Sequence, residues 1–540
     1  MISRASYIPL IAQAQRHEGR TAIVDSQGSF PHTYNDLLDA SSRVAAALLA
    51  GREDLREERV AFLMTPGFPW VAAQWGIWQA GGVAVPLPLN STRPELEYFL
   101  DDTGASTLVF DALAAPLLSP LAAARDIRAF LYDELAAYEA SELPGITPDI
   151  TPDIFAEMAP ERRAMILYTS GTTSRPKGVV TTHANITAQI MSLVEAWEWS
   201  AGDRIVLCLP LHHVHGIVNV VGCALWSGAT CEMLPRFDAN AVWDRIASGS
   251  VTLFMAVPTV YAKLIAAWNA ASPERRAGLS QACARLRLMV SGSAALPVST
   301  LQRWKEISGH ILLERYGMTE IGMALSNPLR GERVPGSVGT PLPSVEVQLV
   351  GENGQPVGPG TPGEIEVRGP SVFAEYWGKP HATRDAFRGG WFRTGDTAVV
   401  EDGVYRILGR TNIDIVKTGG HKVSALEIEE ALREHPAIAE CAVVGVPDPE
   451  WGERVAAAIV LKDVLNDVLN DGDALDLPSL RTWARELLAA HKLPSRLLVL
   501  DALPRNAMGK VMKPAVAALF QTGGDADSEH ISYKGGRHGQ

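Results

Sequence analysis

A short apolar run, Ala164–Tyr168, leads directly into Thr169-Ser170-Gly171-Thr172-Thr173-Ser174-Arg175-Pro176-Lys177-Gly178. Hydroxyls, flexible glycine N–H groups and two cations in one loop are the combination that holds a polyphosphate. The loop is not a Walker A sequence, because Lys177 is followed by glycine instead of Ser or Thr. Taken alone it also fits an ordinary polar hairpin, since Ser, Thr and Gly are the usual turn residues. Other groups able to do chemistry follow: Glu320 after Tyr316-Gly317-Met318-Thr319, Asp396 at the end of Trp391-Phe392-Arg393-Thr394-Gly395, Arg410 after Gly409, and Lys510 after Met508-Gly509. Each has a plain alternative. Tyr316 fits a core position, Asp396 and Arg410 a surface ion pair worth little, and Lys510 a solvated loop lysine.

These residues need elements to carry them. From Thr21 to about Val257, apolar runs such as Arg59–Leu63, Gly82–Val85, Ser106–Phe110 and Arg204–Cys208 alternate with alanine-rich helical stretches such as Asp36–Leu49. That alternation predicts an α/β multidomain fold with largely parallel sheets. Between Pro341 and Val400, alternating strands (345–350 and 364–368) among many glycines and prolines predict a β-rich subdomain, about 341–405. A fresh pattern then begins, with helices at Ala425–Glu434 and Ser479–Ala490 and strands at Cys441–Val446 and Val455–Leu461. The expected division is a large N-terminal domain, 1–409, a small mobile α+β C-terminal domain, 410–520, and a polar tail, 521–540. The tandem Asp463-Val464-Leu465-Asn466, Asp467-Val468-Leu469-Asn470 reads as a loop insertion.

With 540 residues and 47% hydrophobic composition the chain can build several cores. A formal charge of −13 supplies no global field toward nucleic acid or an anionic membrane, so neither is expected as a partner. Five scattered cysteines without CxxC spacing argue against a disulfide framework or structural zinc. A cytoplasmic protein is expected, with an organelle transit role left open by the arginine-bearing, acid-poor N-terminus.

Five stretches, in this order, resemble the signature motifs of the adenylate-forming superfamily of acyl-CoA synthetases, luciferases and peptide-synthetase adenylation domains. They are Leu167–Gly178, Glu314-Arg315-Tyr316-Gly317-Met318-Thr319-Glu320, Trp391–Asp396, Gly409-Arg410 with Asp414–Gly420, and Pro504–Lys510. The resemblance covers about residues 20 to 515. It implies ATP, Mg²⁺ and coenzyme A as cofactor and co-substrates of an AMP-forming acid–thiol ligase. By resemblance, Thr169, Ser170, Gly171, Thr172, Thr173 and Lys177 hold the outer phosphates. Thr319 meets the α-phosphate, and Glu320, with Thr172, binds magnesium. Tyr316 stacks on adenine with Gly292, Ser293 and Ala294 on its other side, and Glu314, Arg315, Gly317 and Met318 complete the nucleotide site. Asp396 takes the ribose hydroxyls, supported by Arg410. Lys510 bridges carboxylate and α-phosphate, while Lys417, Gly419, Gly420 and Lys422 line the coenzyme A path. The hinge position is Asn412, where many relatives carry Asp or Lys.

The acid pocket is expected from Leu211–Gly216, Val257–Lys263, Ser291–Ala294 and Tyr316–Ser326, with His213, Ser291 and Met318 among its residues and His213 also a catalytic candidate. Two cations border it in the sequence, Arg333 and Lys263. A buried unpaired cation has no use in a fatty-acyl or aryl pocket, whereas a dicarboxylate would pair with it; the alternative for Arg333 is a solvated loop arginine. The stretches Arg287–Pro297, Glu314–Leu325 and Arg333–Pro343 closely resemble the malonyl-CoA synthetase branch, active on malonate and methylmalonate. Competing readings are a medium-chain or aryl-acid CoA ligase, a stand-alone adenylation enzyme loading a carrier-protein thiol, and a noncatalytic relative retained for interaction.

Overall fold

The computed structural model describes residues 8–25, 31–137, 158–169, 175–462, 475–505, 511–522 and 528–530. The chain forms two compact units, one made of Met1–Leu296, Thr300–Val347 and Val367–Phe392, the other of Pro297–Ser299, Gln348–Glu366 and Arg393–Gln540.

The first unit is α/β, as the alternation predicts. Its nine-stranded sheet has a parallel centre in which Leu313–Met318, Leu288–Ser291, Leu253–Ala256, Arg204–Leu207, Thr230–Met233 and Thr21–Asp25 lie side by side. Leu253–Ala256 and Leu288–Ser291 are buried along their whole length, the pattern of strands covered on both faces by helices. A second sheet orders Glu375–Tyr376, Lys177–Thr182, Arg163–Thr169, Val83–Pro86, Arg59–Leu63, Thr107–Phe110 and Arg128–Leu131. Local signals fix the helices. Thr33 and Asp36 form a reciprocal capping box at the start of Tyr34–Leu49, and Thr182 with Asn185 does the same for His183–Ala196. Phe68–Gln79 is apolar all round and accordingly buried.

Parallel strands leave a sheet on one edge, and in open α/β sheets ligands bind outside that carboxyl edge. Four of the central strands therefore deliver the segments just after Leu207, Ala256, Ser291 and Met318 to the same edge. Those are the segments expected to build the acid pocket.

In the second unit, Asp396 stands opposite Arg410 in the hairpin of Trp391–Glu401 with Val404–Arg410. A six-stranded sheet joins His421–Ser424, Ile415–Thr418, Gly452–Leu461, Arg496–Val499 and Ser528–His530, with Ile438–Asp448 also on Gly452–Leu461. Helices Ala425–Arg433, Leu477–Ala484 and Lys513–Thr522 belong to this unit. The helix expected over 479–490 starts earlier, where Asp476 caps the Ser479 N–H, and ends at Ala484. Beyond that point the chain turns so that Leu488 and Leu493 join Leu480 and Ala484 in one apolar cluster.

Candidate active site

The strands on either side of the phosphate-type sequence pair antiparallel, with Thr169 directly opposite Lys177. Residues Ser170, Gly171, Thr172 and Thr173 lie outside the described residues. The hairpin is braced from behind: Tyr98 donates to the Pro176 carbonyl at 2.7 Å, and Asp102 accepts from Tyr168 at 2.7 Å and Lys379 at 2.9 Å. Lys177 Nζ lies 4.8 Å from the centre of the Tyr376 ring, and the Tyr376 hydroxyl donates to Glu320 at 3.0 Å. One tyrosine thus links the cation of the loop to the carboxylate of the second motif. Sequence reading misses Tyr376, which stands 56 residues from Glu320.

Strand Leu313–Met318 brings in the second motif. It turns back antiparallel onto Gly322–Ser326 with an irregularity between Tyr316 and Gly317. A Cβ at Gly317 would overlap the Gly322 carbonyl, so the turn that presents Thr319 and Glu320 requires glycine there. Tyr316 is half-buried. The Glu314 carboxylate accepts the Gly336 N–H at 2.9 Å, and its carbonyl accepts from Asn327 Nδ2 at 3.1 Å.

Arg315 is the most unusual side chain of the unit. It is 3% exposed, and its Nε and Nη1 have no hydrogen-bond partner among the described residues. It packs so closely on Gly292 that a Cβ there would collide with the guanidinium. Its Nη2 lies 3.5 Å from Ser293 Oγ, which in turn lies 3.3 Å from His215 Nδ1. Ser293 adopts φ +67°, a left-handed conformation rare for serine that tends to mark functional positions. Burial pulls the Arg315 pKa down to about 9, which leaves it charged at neutral pH.

Other buried polar groups of the same unit, His215 Nε2, both amide atoms of Asn219 and Ser291 Oγ, also have no hydrogen-bond partner among the described residues. Ser291 ends its strand opposite Glu314, one residue from Arg315. His215 and Asn219 lie on a π-helix, His215–Gly222, a rare geometry that favours functional sites. Burial, with help from the Arg315 charge, holds His215 neutral, and burial likewise lowers the pKa of His213. The His213 ring lies 4.1 Å from that of His212, the two planes tilted by 49°. Unpaired buried polar groups each cost roughly 1–3 kcal/mol, and a buried unpaired cation costs more. A buried guanidinium with N–H groups left over among the described residues has hydrogen-bonding capacity for an anion.

Arg333, the other cation expected to meet the acid, is bonded to backbone in this structure. Its Nε, Nη1 and Nη2 donate to the carbonyls of Pro328, Ile311 and Leu329 at 3.1, 2.5 and 2.9 Å. Ile311 precedes strand Leu313–Met318, roughly 17 Å of strand from Tyr316 at about 3.3 Å per residue. Arg333 braces a loop at the opposite end of the strand. Lys263 is exposed, with Nζ 5.7 Å from the Phe237 ring centre, on the helix that follows the exit of Leu253–Ala256.

In the second unit, Arg410 Nε meets the nearly buried Asp396 carboxylate at 2.9 Å. Asn412 is exposed in the turn after Arg410. Lys417 and Lys422 face each other across a hairpin closed by Gly419 and Gly420, both at positive φ as a two-residue turn requires. Both lysines are exposed, and Glu352 lies 3.8 Å from Lys417 and 2.8 Å from Lys422. Lys510 lies outside the described residues. Among the described residues, no group of three or more His, Cys, Asp or Glu side chains is placed to hold a metal, and no helix is long and apolar enough to cross a membrane.

Residues 10–377 match the family model described as AMP-binding enzyme, and residues 427–510 match that of its C-terminal domain. The chain is 47% identical to the mitochondrial malonate–CoA ligase of Mus musculus, over 94% of this chain and 89% of that one. It is 42% identical to the malonate–CoA ligase of Arabidopsis thaliana, over 86% and 78%. Among solved structures, ATP-bound MatB from Rhodopseudomonas palustris aligns with a TM-score of 0.83 at 32% identity, covering 95% of this chain and 99% of that one. The two-unit α/β architecture, the ordered motifs and these matches agree: the chain belongs to the AMP-binding enzyme family and is an AMP-forming acid–thiol ligase of the acyl-CoA synthetase type.

Proposed function

We propose that the chain makes malonyl-CoA, and methylmalonyl-CoA in addition, from the free dicarboxylic acid, ATP and coenzyme A. The observation that carries the reading is the buried Arg315 guanidinium, whose Nε and Nη1 have no hydrogen-bond partner among the described residues and whose Nη2 reaches His215 through Ser293. A monocarboxylate would leave that cation uncompensated, whereas the distal carboxylate of malonate completes it. Arg pairs with carboxylates bidentately, and a site committed to a polar partner rejects acids lacking it, by about 10⁴ in favourable cases. Lys263, on the same sheet edge, acts as an outer cation that draws the dianion in. The printed names of the relatives support the same substrate.

The chemistry runs in two displacements. An oxygen of the proximal carboxylate attacks the α-phosphorus of ATP, the bond from that phosphorus to pyrophosphate breaks, and an acyl-adenylate forms. The coenzyme A thiol then loses its proton and attacks the acyl carbon, and AMP leaves with the electron pair of the broken bond. Thr169, the hydroxyls of the following loop and Lys177 hold the outer phosphates, Thr319 meets the α-phosphate, and Tyr316 stacks on the base with Gly292–Ala294 behind it. Asp396 and Arg410 bind the ribose. His213, kept neutral by burial, offers the substrate a hydrogen-bond acceptor. Lys510 serves the first displacement only, and Lys417 and Lys422 with their glycine turn serve coenzyme A in the second. A magnesium ion suits Glu320 and the phosphate oxygens, all hard donors, and when bound it neutralises charge on the transferring phosphates. The segment from Arg410 onward is proposed as the moving domain, with Asn412 as its hinge. The five cysteines are free and fit a reducing compartment, which we take to be the cytoplasm. Cell fractionation would separate that assignment from the mitochondrial location printed for the animal relatives.

A panel of acids tests the reading: malonate, methylmalonate, butyrate and benzoate, each assayed for AMP release with and without coenzyme A. Malonate should give the highest kcat/KM and a coenzyme-A-dependent thioester. Preference for butyrate or benzoate would replace the dicarboxylate reading with a general acyl-CoA ligase.

A further inference from the structure

Segment 371–377 of the first unit touches both the strand that carries Lys177 and the turn that carries Glu320. Along strand Lys177–Thr182, Glu375 and Tyr376 pair with Val180 and Val179. The Ala374 N–H donates to the Val180 carbonyl at 2.9 Å, and the Trp377 N–H donates to that of Gly178 at 2.8 Å. Toward the second motif, the Phe373 N–H donates to the Glu320 carbonyl at 2.7 Å and Ser371 Oγ donates to the Ile321 carbonyl at 3.0 Å. One short stretch of backbone therefore sets the spacing between the two motifs, which stand far apart in the chain.

Within this frame the Tyr376 ring has a fixed seat. Phe373 meets it edge-on at 4.8 Å and is itself packed on Phe387 and Phe392. The ring holds Lys177 Nζ 4.8 Å from its centre, within reach of the attraction between a cation and an aromatic face. The hydroxyl of the same residue donates to Glu320 Oε1 at 3.0 Å, with Tyr376 7% and Glu320 5% exposed. The backbone bonds place the Glu320 main chain but leave its side-chain torsions open, and a bond to the carboxylate itself selects among them.

We propose that Tyr376 is a positioning residue for the metal: its hydroxyl holds the Glu320 carboxylate in the orientation that receives magnesium on bound ATP, at a spacing from Lys177 set by segment 371–377. This rests on the proposed role of Glu320. A buried carboxylate is a hard oxygen donor of the kind that suits magnesium, and hydrogen bonds that orient such ligands carry about 10- to 100-fold in metal affinity.

Calorimetric binding of ATP to the full-length enzyme, without acid or coenzyme A, in excess magnesium and again in EDTA, tests it. Tyr376→Phe keeps the ring and loses only the hydroxyl, so the Kd for ATP should rise about tenfold in excess magnesium and stay within about twofold in EDTA. Glu320→Gln should show at least the same split. The double variant should bind no more weakly than Glu320→Gln alone, because the hydroxyl acts through that carboxylate. Ser371→Ala removes a bond from the same segment to the same turn but none to a carboxylate; it should lower Tm and leave both Kd values within about twofold. Circular dichroism checks the fold of every variant. If Glu320→Gln leaves both Kd values as in wild type, the magnesium assignment of Glu320 fails and the role of Tyr376 falls with it. If Glu320→Gln shows the split and Tyr376→Phe does not, or if Tyr376→Phe weakens ATP equally with and without magnesium, or if Ser371→Ala reproduces the split, the role of Tyr376 is overturned while that of Glu320 stands.

Discussion

At the scale of single residues, the two arginines nearest the second motif differ in what their N–H groups meet. Arg333 donates to three carbonyls and holds a loop, while buried Arg315 has an Nε and an Nη1 without partners among the described residues. Sequence alone could not separate them, because carbonyl partners carry no residue signature and the polarity of a loop says nothing about which strand end it reaches. The structural account predicts that Arg333→Met destabilises the fold by about 1–3 kcal/mol, from lost charge-assisted hydrogen bonds, and lowers Tm. The ratio of malonate to butyrate kcat/KM should stay as in the wild type. A change in that ratio with unchanged Tm would return Arg333 to the substrate site.

At the scale of elements, the parts that present the site are held by local chemistry that can be tested one contact at a time. Helix His183–Ala196 starts at a box in which Thr182 accepts the Asn185 N–H at 3.1 Å. Thr182→Ala should cost about 1 kcal/mol in denaturant titration without altering KM for ATP. The strands Arg204–Leu207 and Leu288–Ser291 are stapled at their starts, where Arg287 donates twice to Asp203 at 2.7 Å. Burial alone would raise the Asp203 pKa, but the Arg287 bonds and the Ser200 N–H outweigh it and hold the group below the ordinary 3.8. A depressed carboxylate stabilises the fold above its unfolded-state pKa and loses that contribution as pH falls through the folded-state value. The stability gap between wild type and Asp203→Asn should therefore be about 3 kcal/mol at pH 7 and shrink below about pH 4 in unfolding titrations. A gap independent of pH would mean that the pair contributes packing alone. Much at this scale is legible in the sequence. The strands at Arg59–Leu63, Arg204–Leu207 and the Val455–Leu461 part of Gly452–Leu461 follow from short apolar runs, and the Asp36–Leu49 part of helix Tyr34–Leu49 from its alanine-rich pattern. The π-helix is not legible, because a largely apolar run such as Ile217–Val221 does not distinguish helical periods, so the placing of His215 and Asn219 on one π-helix emerges only in three dimensions.

At the scale of the whole molecule, the order of five motifs reveals the family because each motif is contiguous and its spacing survives in the linear chain. What the linear chain hides is which polar groups are left without partners once the sheets have formed. Tyr376 joins Lys177 to Glu320, and Arg315, His215, Asn219 and Ser291 come from three separate segments. The substrate reading stands on that last group, whose parts belong to the first unit. Steady-state kinetics of Arg315→Met against wild type, with malonate and butyrate as competing acids and circular dichroism to confirm the fold, test it most directly. Loss of two charge-assisted bonds at roughly 1.5–3 kcal/mol each should lower malonate kcat/KM by at least about a hundredfold. Butyrate kcat/KM should hold or rise, since the buried cation that opposed an apolar tail is gone. A parallel fall for both acids would contradict the account, because Arg315 would then serve the nucleotide site or the fold and not the distal carboxylate.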